Sequence, residues 1–150
     1  MPAAERLRLI ALDAEDLAIL SAHLQDAVLK TGDMVWLPAQ RRFALVLNRF
    51  AWEEVEKGFR RKKSYQRRRT GLHFDRVTKV RSSGIDRTGK DKVLSLLAIQ
   101  FHESESPAGE IHLVFSGGGT IRLTVECLEA QLSDLGPAWS ADHAPRHTLV

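Results

Sequence analysis

The chain opens on alternation. Leu7, Leu9 and Ala11 alternate with Arg6, Arg8 and Ile10, which is the two-residue period of a strand. Asp13 follows as a helix N-cap that accepts backbone N–H bonds, and Glu15 and Asp16 suit the positive end of a helix dipole. Leu17, Leu20, Leu24 and Val28 recur at helical spacing, which predicts a helix over 14–24 or slightly beyond. Thr31, Gly32 and Asp33 break that pattern. Residues 34–37 read as a short strand ended by Pro38, and 39–42 as a turn. Residues 43–50 complete a hairpin.

Beyond a basic stretch the pattern is again extended. Residues 72–80 alternate until Asp75 and Arg76, where a slip predicts a bulge. Residues 82–91 form a loop. Val93, Leu97, Ile99 and Phe101 fall on one face of the next strand, and Leu94, Leu96 and Ala98 on the other, so both faces are expected to be covered. Ile111, Leu113 and Phe115 alternate with Glu110, His112 and Val114. Ile121, Leu123 and Val125 do the same against Thr120, Arg122 and Thr124, with Gly117, Gly118 and Gly119 turning the chain between them. Leu128, Leu132 and Leu135 predict a last helix, stopped by Gly136 and Pro137.

Short turns between consecutive strands predict antiparallel pairing rather than βαβ crossovers. The expected fold class is α+β, a single domain over residues 1–136. It is a mostly antiparallel bent sheet or barrel, with an N-terminal helix after the first strand and a capping C-terminal helix. A pleckstrin-homology-like barrel has a comparable shape, and shape carries no function. Residues 137–150 read as a polar tail.

Composition narrows the class. The 150 residues are 43% hydrophobic and 27% charged, which excludes a disordered or low-complexity chain. No apolar run approaches the ~18–20 residues of a membrane helix. Glu5, Arg6 and Arg8 interrupt any signal-peptide core. The single cysteine, Cys127, excludes an internal disulfide and suits a reducing compartment. A soluble cytoplasmic protein is expected.

The net charge of +3 hides an asymmetry. Residues 57–69 hold Lys57, Arg60, Arg61, Lys62, Lys63, Arg67, Arg68 and Arg69, eight cations in thirteen positions with no acid among them. Without those eight the +3 becomes −5, so the basic character is local. A local positive field attracts nucleic acid, anionic lipid or an acidic protein face. Arginine grips phosphate bidentately, and Phe59 and Tyr65 are placed to stack on exposed bases. The competing reading is a solvated loop partly neutralised by Glu53, Glu54 and Glu56. Either way the segment is expected to lie outside the core.

Other motifs are weaker. A phosphate loop precedes a helix and often brings a lysine, whereas Gly117, Gly118 and Gly119 lie between alternating strands, so a hairpin turn explains them. His143 and His147 have helical spacing but flank Pro145, and His102 and His112 flank one predicted turn. Neither pair has a further ligand at a zinc interval, so no metal site is expected. Cys127, expected to open the last helix, reads as a packed thiol. The carboxylate pairs Glu53–Glu54 and Glu103–Glu105 read as solvated surface. No catalytic residue and no cofactor is expected.

The hairpin GDMVWLPAQRRFALVLNRFAWE, the later GIDR at 84–87 and the closing FSGGGTIRLTVECLEAQLSDLGPAW together resemble a small alphaproteobacterial family, domain of unknown function 2948. The resemblance covers nearly the whole chain and is most specific in the hairpin. It implies a cytoplasmic housekeeping setting and carries over no activity, substrate or site residue. Three functions follow in order. The first is a non-enzymatic binding module whose basic segment contacts nucleic acid, RNA ahead of DNA, or another polyanion. The second is a protein–protein adaptor in which Met34, Trp36 and Phe43 present an apolar patch and the basic strip docks an acidic partner. The third is an enzyme with dispersed residues.

Overall fold

Asp13 caps the one α-helix of the described residues, its side chain accepting the Asp16 N–H at 2.8 Å. The computed structural model describes residues 6–50, 66–86, 88–136 and 139–140. Strand β1 (Arg8–Ala11) leads into α1 (Ala14–His23), and β2 (Val28–Lys30) follows. Val28 therefore leaves the helical stripe for a short strand. The predicted hairpin forms from β3 (Met34–Leu37) and β4 (Arg42–Phe50). After it come β5 (Gln66–Phe74), β6 (Val77–Ser83), β7 (Val93–Glu103), β8 (Gly109–Phe115), β9 (Thr120–Val125), β10 (Ala130–Asp134) and β11 (Trp139–Ser140).

The strands form one open, antiparallel sheet in the order β1-β10-β5-β4-β2-β7-β8-β9-β6, with β3 added to β4 and β11 to β5. Its bend comes from two adjacent corners. The slip at Asp75 and Arg76 proves to be the end of β5 and the start of β6, with Arg76 at φ 63. On the neighbouring strands, β9 turns into β10 across residues 126–129. Asp75 N–H donates to the Glu129 carbonyl and Glu126 N–H to the Arg76 carbonyl, each at 3.0 Å, so the corners are stitched together.

The expected C-terminal helix is overturned. Leu128, Leu132 and Leu135 fit a helical stripe, yet Ala130, Leu132 and Asp134 point inward from a strand paired with β5 and β1. The period of two was disguised because one of its inward positions is an aspartate. Cys127 consequently lies half-buried at a strand corner rather than at a helix start.

One continuous core fills the bend. It takes Leu17 and Leu20 from the helix and Leu24 from its C-cap, Leu45 and Leu47 from β4, and Leu113, Phe115, Ile121 and Leu123 from β8 and β9. The face assigned to Leu97 needs correction. Pairing of β7 with β8 shifts register between Leu96 and Ala98, so Leu96 and Ile99 are both buried and Leu97 is turned outward, 44% exposed. Ser21 of α1 supports this irregularity by accepting the Ile99 N–H at 2.9 Å through Oγ. Among the described residues no helix is long and apolar enough to cross a membrane.

Candidate functional site

The sheet pairing divides the basic segment by strand face. Lys57, Phe59, Arg60, Arg61, Lys62, Lys63 and Tyr65 lie outside the described residues, as do Glu53, Glu54, His143 and His147. Arg67, Arg68 and Arg69 belong to β5, opposite Phe50, Arg49 and Asn48 of β4. Successive strand residues face opposite ways. Arg69 is exposed on the outer face. Arg67, half-buried, lays its guanidinium carbon 3.7 Å from the centroid of the Phe50 ring and donates from Nη1 to the Asn48 carbonyl at 3.3 Å. Burial lowers the Arg67 pKa, but a guanidinium starts so high that it stays cationic at neutral pH.

Arg68 goes the other way. It is only 3% exposed and turned into the interior, so the expectation that the whole segment lies outside the core fails at this residue. The reason is the inward row it joins. Arg68, Thr70, Leu72 and Phe74 of β5 are buried, as are Phe43, Leu45, Leu47 and Arg49 of β4, and Ala130, Leu132 and Asp134 of β10. Each inward row ends in a charged side chain, and the three ends meet. Asp134 Oδ1 accepts from Arg49 Nε at 3.0 Å and from Thr70 Oγ1 at 2.8 Å. Its Oδ2 accepts from Arg49 Nη2 at 2.9 Å and from the Leu7 N–H at 2.8 Å. Arg68 Nε stands 3.8 Å from Oδ2. Burial alone would raise the Asp134 carboxyl, but the hydrogen bonds from Arg49, Leu7 and Thr70 outweigh it and hold it below the ordinary range. Arg49 and Asp134 escaped the sequence reading. Their signal was a charge on the apolar phase of an alternating strand.

Toward the corner, the outer face of β5 carries His73, its Nε2 3.5 Å from Asp75 Oδ2. Arg42, from β4, donates through Nε to Asp75 Oδ1 at 2.8 Å. Burial first, and then the Arg42 charge, lower the His73 pKa, while Asp75 and Glu129 pull it upward without prevailing.

A second feature lies where the sheet stays open. The edge strands β3 and β6 flank a cavity of about 460 Å³, lined on the apolar side by Met34, Trp36, Phe43, Val80, Ile85 and Ile121. This corrects the hairpin patch. Phe43 is buried, and Met34 and Trp36 are half-buried around the cavity rather than displayed on the outside.

The remaining motifs take modest places. Gly117 and Gly118 adopt φ of 85 and 94 and lead into β9, a strand, as a hairpin turn requires. His102 and His112 do meet across the β7–β8 pair, ring centroids 4.3 Å apart, and His112 Nε2 lies 2.9 Å from Glu110 Oε1. Among the described residues no three His, Cys, Asp or Glu side chains cluster to hold a metal. Glu103 and Glu105 are exposed.

The chain belongs to the family described as protein of unknown function DUF2948, whose sequence profile matches residues 7–147. No curated protein and no solved structure matches the chain.

Proposed function

We propose that the protein is a non-enzymatic, cytoplasmic binding module whose basic segment contacts nucleic acid, RNA ahead of DNA, or another polyanion. One observation supports it most. Arg67 and Arg69 stand on the outer face of β5 beside Phe50 and Asn48, at the foot of the connection that carries Lys57, Arg60, Arg61, Lys62 and Lys63. Cations on one sheet face, next to an aromatic ring, suit a phosphate backbone with bases exposed beside it. Arg68 is withdrawn from the binding face because its strand phase commits it to the buried Asp134. Contacts made chiefly to phosphates give weak sequence preference and steep salt dependence.

The test is a fluorescence-anisotropy titration of short single-stranded RNA and DNA across a range of salt. Affinity should fall with a log–log slope of roughly −0.7 per phosphate contacted. Absence of binding at low salt would leave the segment a solvated or protein-docking strip.

The adaptor reading has its own support on the same outer face. Val35 and Leu135 are exposed around a shallow depression of about 300 Å³ that also includes Ala44, Val46 and Gly71. Co-purification with and without nuclease separates the two readings, since partners that survive nuclease favour the adaptor.

A further inference from the structure

The cavity between β3 and β6 is a gap in an almost completed wall. Strand β3 pairs with β4, β6 pairs with β9, and no ladder joins β3 to β6. The β6 edge touches the hairpin at its start, where Val77 N–H donates to the Arg41 carbonyl at 2.9 Å. Farther along, the space between the two edges is left to side chains and to the loop after β6.

That loop is fastened at both ends. Thr31 Oγ1 donates to the Gly89 carbonyl at 2.8 Å, and Gly32 N–H to the Lys90 carbonyl at 2.9 Å. A Cβ on Gly32 would lie 2.9 Å from Lys90 Cβ, so only glycine lets the loop approach this closely. At the other end Gly84, with φ +73, sits where a Cβ would meet the Gly118 carbonyl oxygen at 2.9 Å. The cavity is therefore preformed, and a site that needs no ordering keeps more of its contact energy as affinity.

Its chemistry is one-sided. Met34, Trp36 and Phe43 give it an aromatic and thioether wall, with Val80, Ile85 and Ile121 completing the apolar part. Thr31, Ser82 and Lys90 supply the polar rim, and among the described residues no carboxylate lines it. Lys92 of the same loop stands 3.5 Å from Asp86, whereas Lys90 makes no ion pair with any described residue. A volume of about 460 Å³ falls within the range of small-molecule sites, which combine an apolar lining with a few orienting polar groups.

We infer that this cavity binds a small molecule with an aromatic or branched apolar body and one negative charge, the body against Trp36 and Met34 and the anion at Lys90. Such a ligand would sit on the inner side of the hairpin, away from the arginines of the outer face, so the inference does not depend on nucleic-acid binding.

Naphthoate, neutral naphthamide and cationic naphthylmethylamine serve as matched probes. The chain has two methionines, so a methyl NMR spectrum of methionine-labelled protein reads Met34 directly. Naphthoate should shift the Met34 methyl signal saturably and bind more tightly than naphthylmethylamine. Lys90→Ala, an exposed site whose loss leaves the core intact, should weaken naphthoate about fivefold, as for a part-exposed ion pair, and leave naphthamide unchanged. Lys90→Glu should reverse the preference between naphthoate and the amine. An unshifted Met34 signal, equal naphthoate affinity in Lys90→Ala, or an amine that binds as well as the acid would overturn the inference.

Discussion

Asp134 takes the Arg49 guanidinium on both of its carboxylate oxygens, at 3.0 and 2.9 Å, and neither side chain has any exposed surface. The pair joins β10 to β4 across the intervening β5, whose Arg68 reaches toward the same carboxylate. Both buried cations thus face the same buried carboxylate. A one-residue slip of any of these strands would turn its charge outward and break these contacts, so the cluster helps to specify register.

Asp134→Asn should therefore be far more costly than its size suggests. It removes the carboxylate charge that Arg49 and Arg68 face in the interior, a loss of roughly 3–5 kcal/mol. Urea unfolding measures it. Replacing Arg49, Arg68 and Asp134 together by apolar residues of similar volume should recover most of that loss, because the desolvation cost goes with the charges. The wild-type carboxyl also sets an acid limit. Its folded pKa lies below the unfolded value of about 3.9, so its contribution is present above that pH and disappears as pH falls through the folded pKa. The Asn variant should lose that part of the acid dependence, and an unchanged acid limb would count against the assignment.

Those same residues explain what the sequence could and could not tell. Leu113 and Phe115, or Ile121 and Leu123, announce their strands because their inward rows are wholly apolar. Asp13 announces its helix through local capping chemistry. The row Ala130, Leu132, Asp134 hides, since its carboxylate is hydrogen-bonded by residues 64 and 85 positions away in the chain, the second of them the cation Arg49. No local pattern reports a partner at that distance. The cavity was illegible for a similar reason: Trp36, Val80 and Lys90 meet only through the bend of the sheet.

The β7 irregularity predicts an unequal pair. Leu113→Ala removes a fully buried side chain and should cost roughly 2–5 kcal/mol. Leu97→Ala, at the register shift, should cost about 0.5 kcal/mol or less, as at an ordinary surface position. Equal losses in denaturant midpoint would mean that Leu97 packs inward after all.

His73 should titrate below the ordinary histidine value of about 6.5, which ring-proton NMR can follow. A lowered histidine favours the neutral form in the folded state. Its contribution to stability is present above the unfolded pKa and is lost as pH falls through the folded one. Arg42→Gln removes a lowering charge and leaves Asp75 facing the ring, so the midpoint should move up. A midpoint that stays or falls would show that the Arg42 charge is not felt there.

Three consecutive arginines that look equivalent in the sequence should behave differently when replaced. Arg69→Ala alters an exposed outer-face cation and should leave the stability within about 0.5 kcal/mol of wild type. Arg67→Ala gives up its stacking on Phe50, worth roughly 0.5–1 kcal/mol at a partly exposed site. Arg68→Ala empties a buried position beside Asp134 and should destabilise by roughly 2–5 kcal/mol, as a large-to-small change in the interior does. Binding should rank the opposite way. Arg67→Ala and Arg69→Ala together should flatten the salt dependence by roughly 0.7 for each phosphate no longer neutralised. Arg68 replaced by methionine, which keeps much of the stem packing, should bind RNA with the wild-type slope wherever it remains folded. If instead the methionine variant alone lost the slope, Arg68 would be a phosphate ligand and its inward placement would be wrong.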